Sequence, residues 1–494
     1  MNVPLRRVTV VMVILFSLLF LNLNWVQFVQ HDYYKNNAYN HRVTIEEYSR
    51  QRGAILAGSE TIAKSVATEN SDLKYQREYP GGKPYAHLTG YQSLAIGNGG
   101  LENAQNDLLS GNAAALFVQR MRSMVTGEEV VGGNVILSVD PKLQEKAWDL
   151  LQNSSTDVAA AVAMDPQTGQ VLAQVSTPSY DPTPLASHDV GEAQSAWNDL
   201  TADDSGNPVL DRSTNELYPP GSTMKVLVAA AALESGLTPD SMVPAGNEYV
   251  PPHSSNNPIR NASNQCPESE LPLKEALARS CNTSFAELCV NDFNGKVDDG
   301  AETMTDMAHR FGFDEEVETP LRVEPSQLGD VSAESFLARA CFGQHEVRVT
   351  PMQNAMIAAA IANDGDMMKP QVIKETQRSD KTSLSKTGAH KINSPVSGSV
   401  AKDLRTMMKA VVDNGTGTDA RIDGKDVGGK TGTAERGVDD NGNPLPEHGW
   451  FMGYAMDDDE PQIAVSVVLT NTGEGGSSEA TRIGGELMKA GLKE

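Results

Sequence analysis

Ser222 and Lys225 stand three positions apart in Tyr218-Pro219-Pro220-Gly221-Ser222-Thr223-Met224-Lys225, directly before an apolar run at 226–233. A serine hydroxyl is a poor nucleophile until a neighbouring base takes its proton. Lysine can be that base when burial or a like charge depresses its pKa. The apolar run has helical character, and positions i and i+3 of a helix share a face, so the amine is expected beside the hydroxyl. The chemistry open to this pair is acyl transfer through a serine ester. Spacing alone is weak support. Ser383-Leu384-Ser385-Lys386 repeats it in a polar stretch with no helix, and a serine before a helix is often no more than an N-cap.

Two further groups follow in chain order. Ser280-Cys281-Asn282, inside ALARSCNTSFAEL, puts a hydroxyl and an amide two apart, able to relay a proton and hold a substrate amide. The same S-x-N letters at 213–215, 254–256 and 255–257 lie in polar, proline-rich or turn-like stretches, whereas an apolar helical period surrounds Ser280. Lys430-Thr431-Gly432-Thr433 sits in DVGGKTGTAE, a strand-like run of small residues. A peptide backbone can pair along such a strand and leave its carboxylate at Lys430. Lys386-Thr387-Gly388 carries the same letters in a polar run without strand pattern. Residues 424–431 also satisfy the P-loop pattern, but that loop needs a helix after it, and 434–447 is rich in Gly, Asp and Asn.

The ordered set Ser222/Lys225, Ser280/Asn282 and Lys430-Thr431-Gly432 resembles the transpeptidase domain of penicillin-binding proteins, whose acylation motif is S-x-x-K. The resemblance extends to the hairpin-like Ala160–Ala173, to Ser176-Thr177-Pro178, to Val349-Thr350-Pro351-Met352-Gln353 as a central helix, and to His448-Gly449-Trp450. Upstream, Gln51-Arg52-Gly53-Ala54-Ile55-Leu56, His87-Leu88-Thr89-Gly90-Tyr91 and Gly100-Leu101-Glu102 are similar to the class B, monofunctional subfamily. It implies a peptidoglycan D,D-transpeptidase working through a Ser222 ester, with Lys225 and Ser280 moving protons. Asn282 would hold the peptide amide, and Lys430, Thr431, Gly432 and Thr433 would bind the terminal carboxylate. The implied partners are stem peptides ending in D-Ala-D-Ala and β-lactams and, by analogy, a membrane glycosyltransferase and division proteins. No cofactor and no metal are implied. A β-lactamase would need a deacylating base motif that is not matched here. A β-lactam sensor and an inactive division scaffold are the alternatives.

The composition fits. At 39% hydrophobic the chain can bury a large core, and its 494 residues leave room for a smaller module beside it. A net charge of −25 argues against nucleic acid as a partner. Near the N-terminus, residues 8–28 form one apolar stretch, about the ~20 residues a helix needs to span a bilayer. Arg6 and Arg7 precede it, which predicts a cytoplasmic stub at 1–7 and an exported remainder. No small-x-small cleavage site follows, so an uncleaved single-pass anchor is expected. A non-catalytic pedestal or dimerisation module is expected at 29–155 and the transpeptidase domain at 156–494. That domain reads as strands, helices, then strands, the order of an α+β fold with an antiparallel sheet flanked by helices. Four cysteines, at 266, 281, 289 and 341, allow three pairings. A Cys266–Cys281 bridge beside Ser280 is expected, against four buried thiols as the alternative.

Overall fold

A computed structural model describes residues 3–30 and 47–492, except 71, 128, 255, 256, 263, 440 and 474. A helix Val3–Asn24 runs on through a π-turn at Trp25–Val29. The segment Pro4–Val29 is long and apolar enough to cross a membrane, and no side chain along it is buried by protein. It brackets the expected anchor at 8–28.

The larger part of the chain is built on a five-stranded antiparallel sheet. In chain order its surroundings are α1 (Pro141–Gln152), β1 (Ala159–Met164), β2 (Val171–Thr177), α2 (Lys225–Glu234), α3 (Leu273–Arg279), α4 (Asn282–Val290), α5 (Pro351–Ala362), α6 (Gly398–Asn414), β3 (Asp426–Ala434), β4 (His448–Asp457), β5 (Glu460–Leu469) and α7 (Gly476–Gly491). Strand order is β3-β4-β5-β1-β2. Alternate residues of each strand enter two different cores. Ala161, Phe451, Val465 and Val467 meet Leu143 and Leu151 of α1 and Ile483 and Leu487 of α7. Val162, Trp450, Met452 and Val468 face the core that holds α2 and α5. Both faces are covered, so the inner strands are buried along almost their whole length. The expected α+β architecture is therefore present.

Helices α2 and α5 are apolar all round because both are interior. Every residue of α5 is buried, and every residue of α2 except Glu234. Thr350 caps α5 by accepting from the Gln353 N–H, with Pro351 at the first helical position.

A second, six-stranded sheet carries the N-terminal module, and it does not stop at residue 155. Its order is 383–386, 373–377, 134–137, 55–57, 60–67, 75–78. Two of its strands, Ile373–Gln377 and Ser383–Lys386, belong to the segment expected to be wholly catalytic. Conversely α1, expected in the module, packs on the catalytic sheet. The reason is shared burial: Ile373 of the returning hairpin pairs with Leu137, and closing the sheet this way hides both. The stretch 383–386, which reads as structureless in sequence, is thus an edge strand. Its polar composition follows from exposure on that edge.

Within the module, Glu102 is wholly buried between two guanidiniums. Arg52 Nε and Arg77 Nε each lie 2.6 Å from its carboxylate. Arg52 Nη1 also donates to Asn106 Oδ1, and Arg77 Nη1 to Gly53 O. Burial pulls the Glu102 pKa up, and the charges of Arg77 and Arg52 outweigh it, so the net shift is downward. Its contribution to stability is therefore present above the ordinary carboxylate range and is lost as pH falls through the lowered value. Glu102→Gln strands buried positive charge. It is expected to cost about 3–5 kcal/mol, measured by chemical unfolding of the detergent-solubilised chain at pH 7. A variant as stable as wild type would contradict this.

Candidate active site

The Pro219-Pro220 turn feeds a single 3-10 turn, Gly221–Met224, and α2 begins only at Lys225. Ser222 lies in that turn. It does not cap the helix through its side chain, so the N-cap reading fails. The turn is pressed against β3. Gly221 has φ +54, and a Cβ there would meet Thr433 O at 2.3 Å. Gly432 faces the same contact from the strand, where a Cβ would meet Pro220 O at 2.9 Å. On the other side Gly343 O accepts from Gly221 N–H, and Trp450 Nε1 donates to Pro219 O at 3.0 Å. Tyr218 stacks edge-on to Trp450 and His448. None of Gly343, Tyr218 or Trp450 has a side chain whose type announces a role in holding this turn. Only their packing shows it.

Ser280 is not inside a helix, as its surroundings suggest in sequence. It ends α3 in the left-handed conformation, φ +63, and α4 starts two residues later. This break is what lets Ser280 and Asn282 face the same amine. Cys281, between them, is bonded to Cys266. A second bridge, Cys289–Cys341, ties α4 to the end of the short helix Glu334–Ala340. Sequence reading assigned no partner to those two cysteines.

Lys225 Nζ, fully buried, has four polar neighbours: Ser222 Oγ at 2.9 Å, Ser280 O at 2.7 Å, Ser280 Oγ at 3.2 Å and Asn282 Oδ1 at 2.6 Å. Asn282 Nδ2 donates to Arg260 O, which leaves its oxygen for the lysine. A backbone carbonyl and an amide oxygen only accept. They occupy two N–H groups of a neutral amine, and its lone pair is left for the serine hydroxyl. Lys430 Nζ, also fully buried, donates to Ser280 Oγ at 2.9 Å and to Thr431 O at 3.0 Å. Among the described residues neither lysine contacts a carboxylate. Burial, and then the charge of Lys430, push the Lys225 pKa well below its ordinary value. Burial alone lowers Lys430 to about 7. Of the two causes open to such a lysine, burial and a like charge, burial is the larger here.

Strand β3 is an edge of its sheet, so alternate backbone groups are free to pair with an extended peptide. Thr431 Oγ1 lies 2.6 Å from Thr416 Oγ1 in the loop after α6, a neighbour that no motif signals. Thr433 is exposed. The other S-x-N matches lie elsewhere: Ser213 is bonded to the Asp211 carboxylate, and the matches at 254–257 include residues outside those described. Lys386 and the S-x-x-K at 383–386 lie on the other sheet. The P-loop pattern at 424–431 falls on β3 with a loop, not a helix, after it.

A serine held against a buried amine, with a hydroxyl bridging that amine to a second one and an open strand edge alongside, is equipped for acyl transfer through an ester. Comparison with known proteins agrees with that class. The family model for the penicillin binding protein transpeptidase domain matches residues 159–489, and that for the penicillin binding protein A dimerisation domain matches residues 52–135. The chain belongs to the penicillin-binding protein transpeptidase family. It is 37% identical over 502 residues to a peptidoglycan D,D-transpeptidase PbpA of Mycolicibacterium smegmatis, covering 100% of both. It is 35% identical to the PbpA of Mycobacterium tuberculosis, covering 100% of this chain and 99% of that protein. The crystal structure of PBPA from M. tuberculosis superposes with a TM-score of 0.84 at 35% identity, covering 90% of this chain and 100% of that one. The imipenem acyl-enzyme complex of the same protein also gives 0.84, covering 91% and 100%.

Two outcomes test this geometry. Thiol titration of the unfolded, unreduced chain is expected to find no free thiol, and four after reduction; four at the outset would remove both bridges. Lys430→Gln removes a like charge beside Lys225, so the Lys225 pKa rises. The pH at which Ser222 acylation is half-maximal is expected to move upward, each unit lowering the neutral-pH rate roughly tenfold. An unmoved profile would mean that Lys430 does not tune the base.

Proposed function

We propose that the chain is a peptidoglycan D,D-transpeptidase that cross-links stem peptides through a Ser222 acyl-enzyme and is acylated by β-lactams. One observation carries this: Lys225 Nζ lies 2.9 Å from Ser222 Oγ, with acceptors occupying its other directions. The neutral amine takes the hydroxyl proton as Oγ attacks the carbonyl of the penultimate D-alanine. The oxyanion is received by the backbone N–H groups of Ser222 and Thr433, a role that family resemblance assigns. One such donor is typically worth about 10²–10³ in rate. The carbon–nitrogen bond then breaks. Ser280, in contact with both amines, delivers the proton to the departing D-alanine nitrogen. The terminal carboxylate lies at Lys430, Thr431 and Thr433, with Gly432 allowing the strand to approach the turn. Asn282 holds the donor amide. The amine of a second stem peptide attacks the ester, frees Ser222 and leaves the cross-link.

The apolar helix Pro4–Val29 supports a single-pass anchor, and Arg6 and Arg7 before its centre support a cytoplasmic N-terminus with the catalytic domain outside. Service in cell division and contact with a membrane glycosyltransferase are carried by family analogy.

Intact mass of the full chain after incubation with penicillin G tests the reading. The expected result is one stable adduct on wild type and none on Ser222→Ala. No adduct on wild type would reduce the chain to a scaffold, and an adduct lost within seconds would indicate a β-lactamase.

A further inference from the structure

A cavity of about 700 Å³ opens beside the acyl-transfer centre, sharing Pro219, Asn282 and His448 with its walls. Its lining is unusual for a chain of net charge −25: it holds four arginines, at 260, 339, 348 and 436, against one acid, Glu435. Arg260 is ion-paired to Glu248. Arg348 is held by the carbonyls of His345 and Val347 at 2.9 and 2.8 Å, which fixes its cation without neutralising it. Arg339, in the last turn of the helix Glu334–Ala340, makes no side-chain hydrogen bond or ion pair among the described residues, and neither does Arg436. His345 lines the same cavity with its Nε2 buried and unpartnered. The field of Arg436 reaches the cleft: burial first, and then this charge, lower the His448 pKa to about 4.

The direction of a bound donor follows from the proposed function, on which this inference rests. A peptide whose terminal carboxylate lies at Lys430 and whose scissile carbonyl lies at Ser222 runs N-terminally along β3, past Thr433. Residues 435–437, which follow β3 directly, line the cavity. The residue preceding the D-Ala-D-Ala unit therefore arrives beside Arg436 and opposite Arg339. We propose that this cavity is a specificity site for a carboxylate on the side chain of that residue, bound by Arg339 and Arg436 with Arg348 as the fixed third cation. Guanidinium–carboxylate pairing is short, strong and directional, and three cations around one anion outweigh the rim carboxylate of Glu435.

The test uses two synthetic donor peptides ending in D-Ala-D-Ala. They are identical except that the preceding residue carries a side-chain carboxylate in one and the carboxamide in the other. Release of D-alanine by the detergent-solubilised chain is measured for both. Hydrogen bonds to charged groups contribute enough for wild type to favour the acid in kcat/KM by about tenfold or more. In Arg339→Gln and in Arg436→Gln that ratio is expected to fall towards unity, with raised KM for the acid and little change for the amide. Arg436 is exposed, so its variant keeps the test available if Arg339→Gln misfolds. Equal use of both donors by wild type, or a preference that survives both substitutions, would overturn the proposal. Penicillin G separates this from the wider reading. Wild type that forms the Ser222 adduct yet ignores the carboxylate overturns only the pocket; wild type with no adduct and no D-alanine release overturns the acyl-transfer reading with it.

Discussion

Two lysine amines buried with no carboxylate in contact among the described residues are the constraint on which the rest of this structure depends. Removing an ammonium from water costs several kcal/mol unless it is paired or sheds its proton. Lys225 and Lys430 are both fully buried, and among the described residues their hydrogen-bond partners are hydroxyl, carbonyl and amide oxygens. A second positive charge in the same space is costly, and burial lowers both amines, which favours the neutral amine that the proposed role of Lys225 as base requires. Ser280 Oγ, touching both, connects the base to the remaining charge. Had an acid lain beside Lys225, the pair would be a buried ion pair, and Ser222 would have no base.

Holding that arrangement requires three separately folded pieces to meet within tenths of an ångström. The turn at 221–224, the break between α3 and α4, and strand β3 share no local structure. The turn and β3 are joined by contacts in which side chains are mostly absent, Gly221 on Thr433 and Gly432 on Pro220, with Gly343 on the turn's other side. The break at Ser280 is reached by the amines of Lys225 and Lys430. Backbone packed on backbone has little freedom to adjust, and this rigidity is what keeps the 2.9 Å approach of amine to hydroxyl. The Cys266–Cys281 bridge adds a covalent stop at the one junction, around Ser280, where the chain is neither helix nor strand.

The N-terminal module is coupled to this machinery through chain order rather than through a linker. The catalytic segment leaves its own domain at 373–386, completes the six-stranded sheet, and returns to begin α6 at Gly398. The hairpin follows α5, which packs directly beneath the catalytic sheet. The hairpin is thereby flanked in the chain by two helices of the catalytic domain, α5 and α6.

The sequence alone determined the ingredients. Ser222 with Lys225, the helical apolar runs and the strand around Lys430 are local patterns, because side-chain spacing and periodicity act over a few residues. The apolar N-terminal helix is legible for the same reason. The helical or strand pattern around each motif also singled out one copy among the repeats; what only the tertiary structure decided is what surrounds it. Ser383-Leu384-Ser385-Lys386 is an edge strand of a different sheet, and Lys386-Thr387-Gly388 runs off its end. The second bridge, the return of 373–386 to the module, and the convergence of Arg260, Arg339 and Arg436 all depend on residues tens to hundreds of positions apart. So does the leading cause of the lysine pKa shift. Desolvation is a property of everything packed around an atom, and no window of sequence contains it.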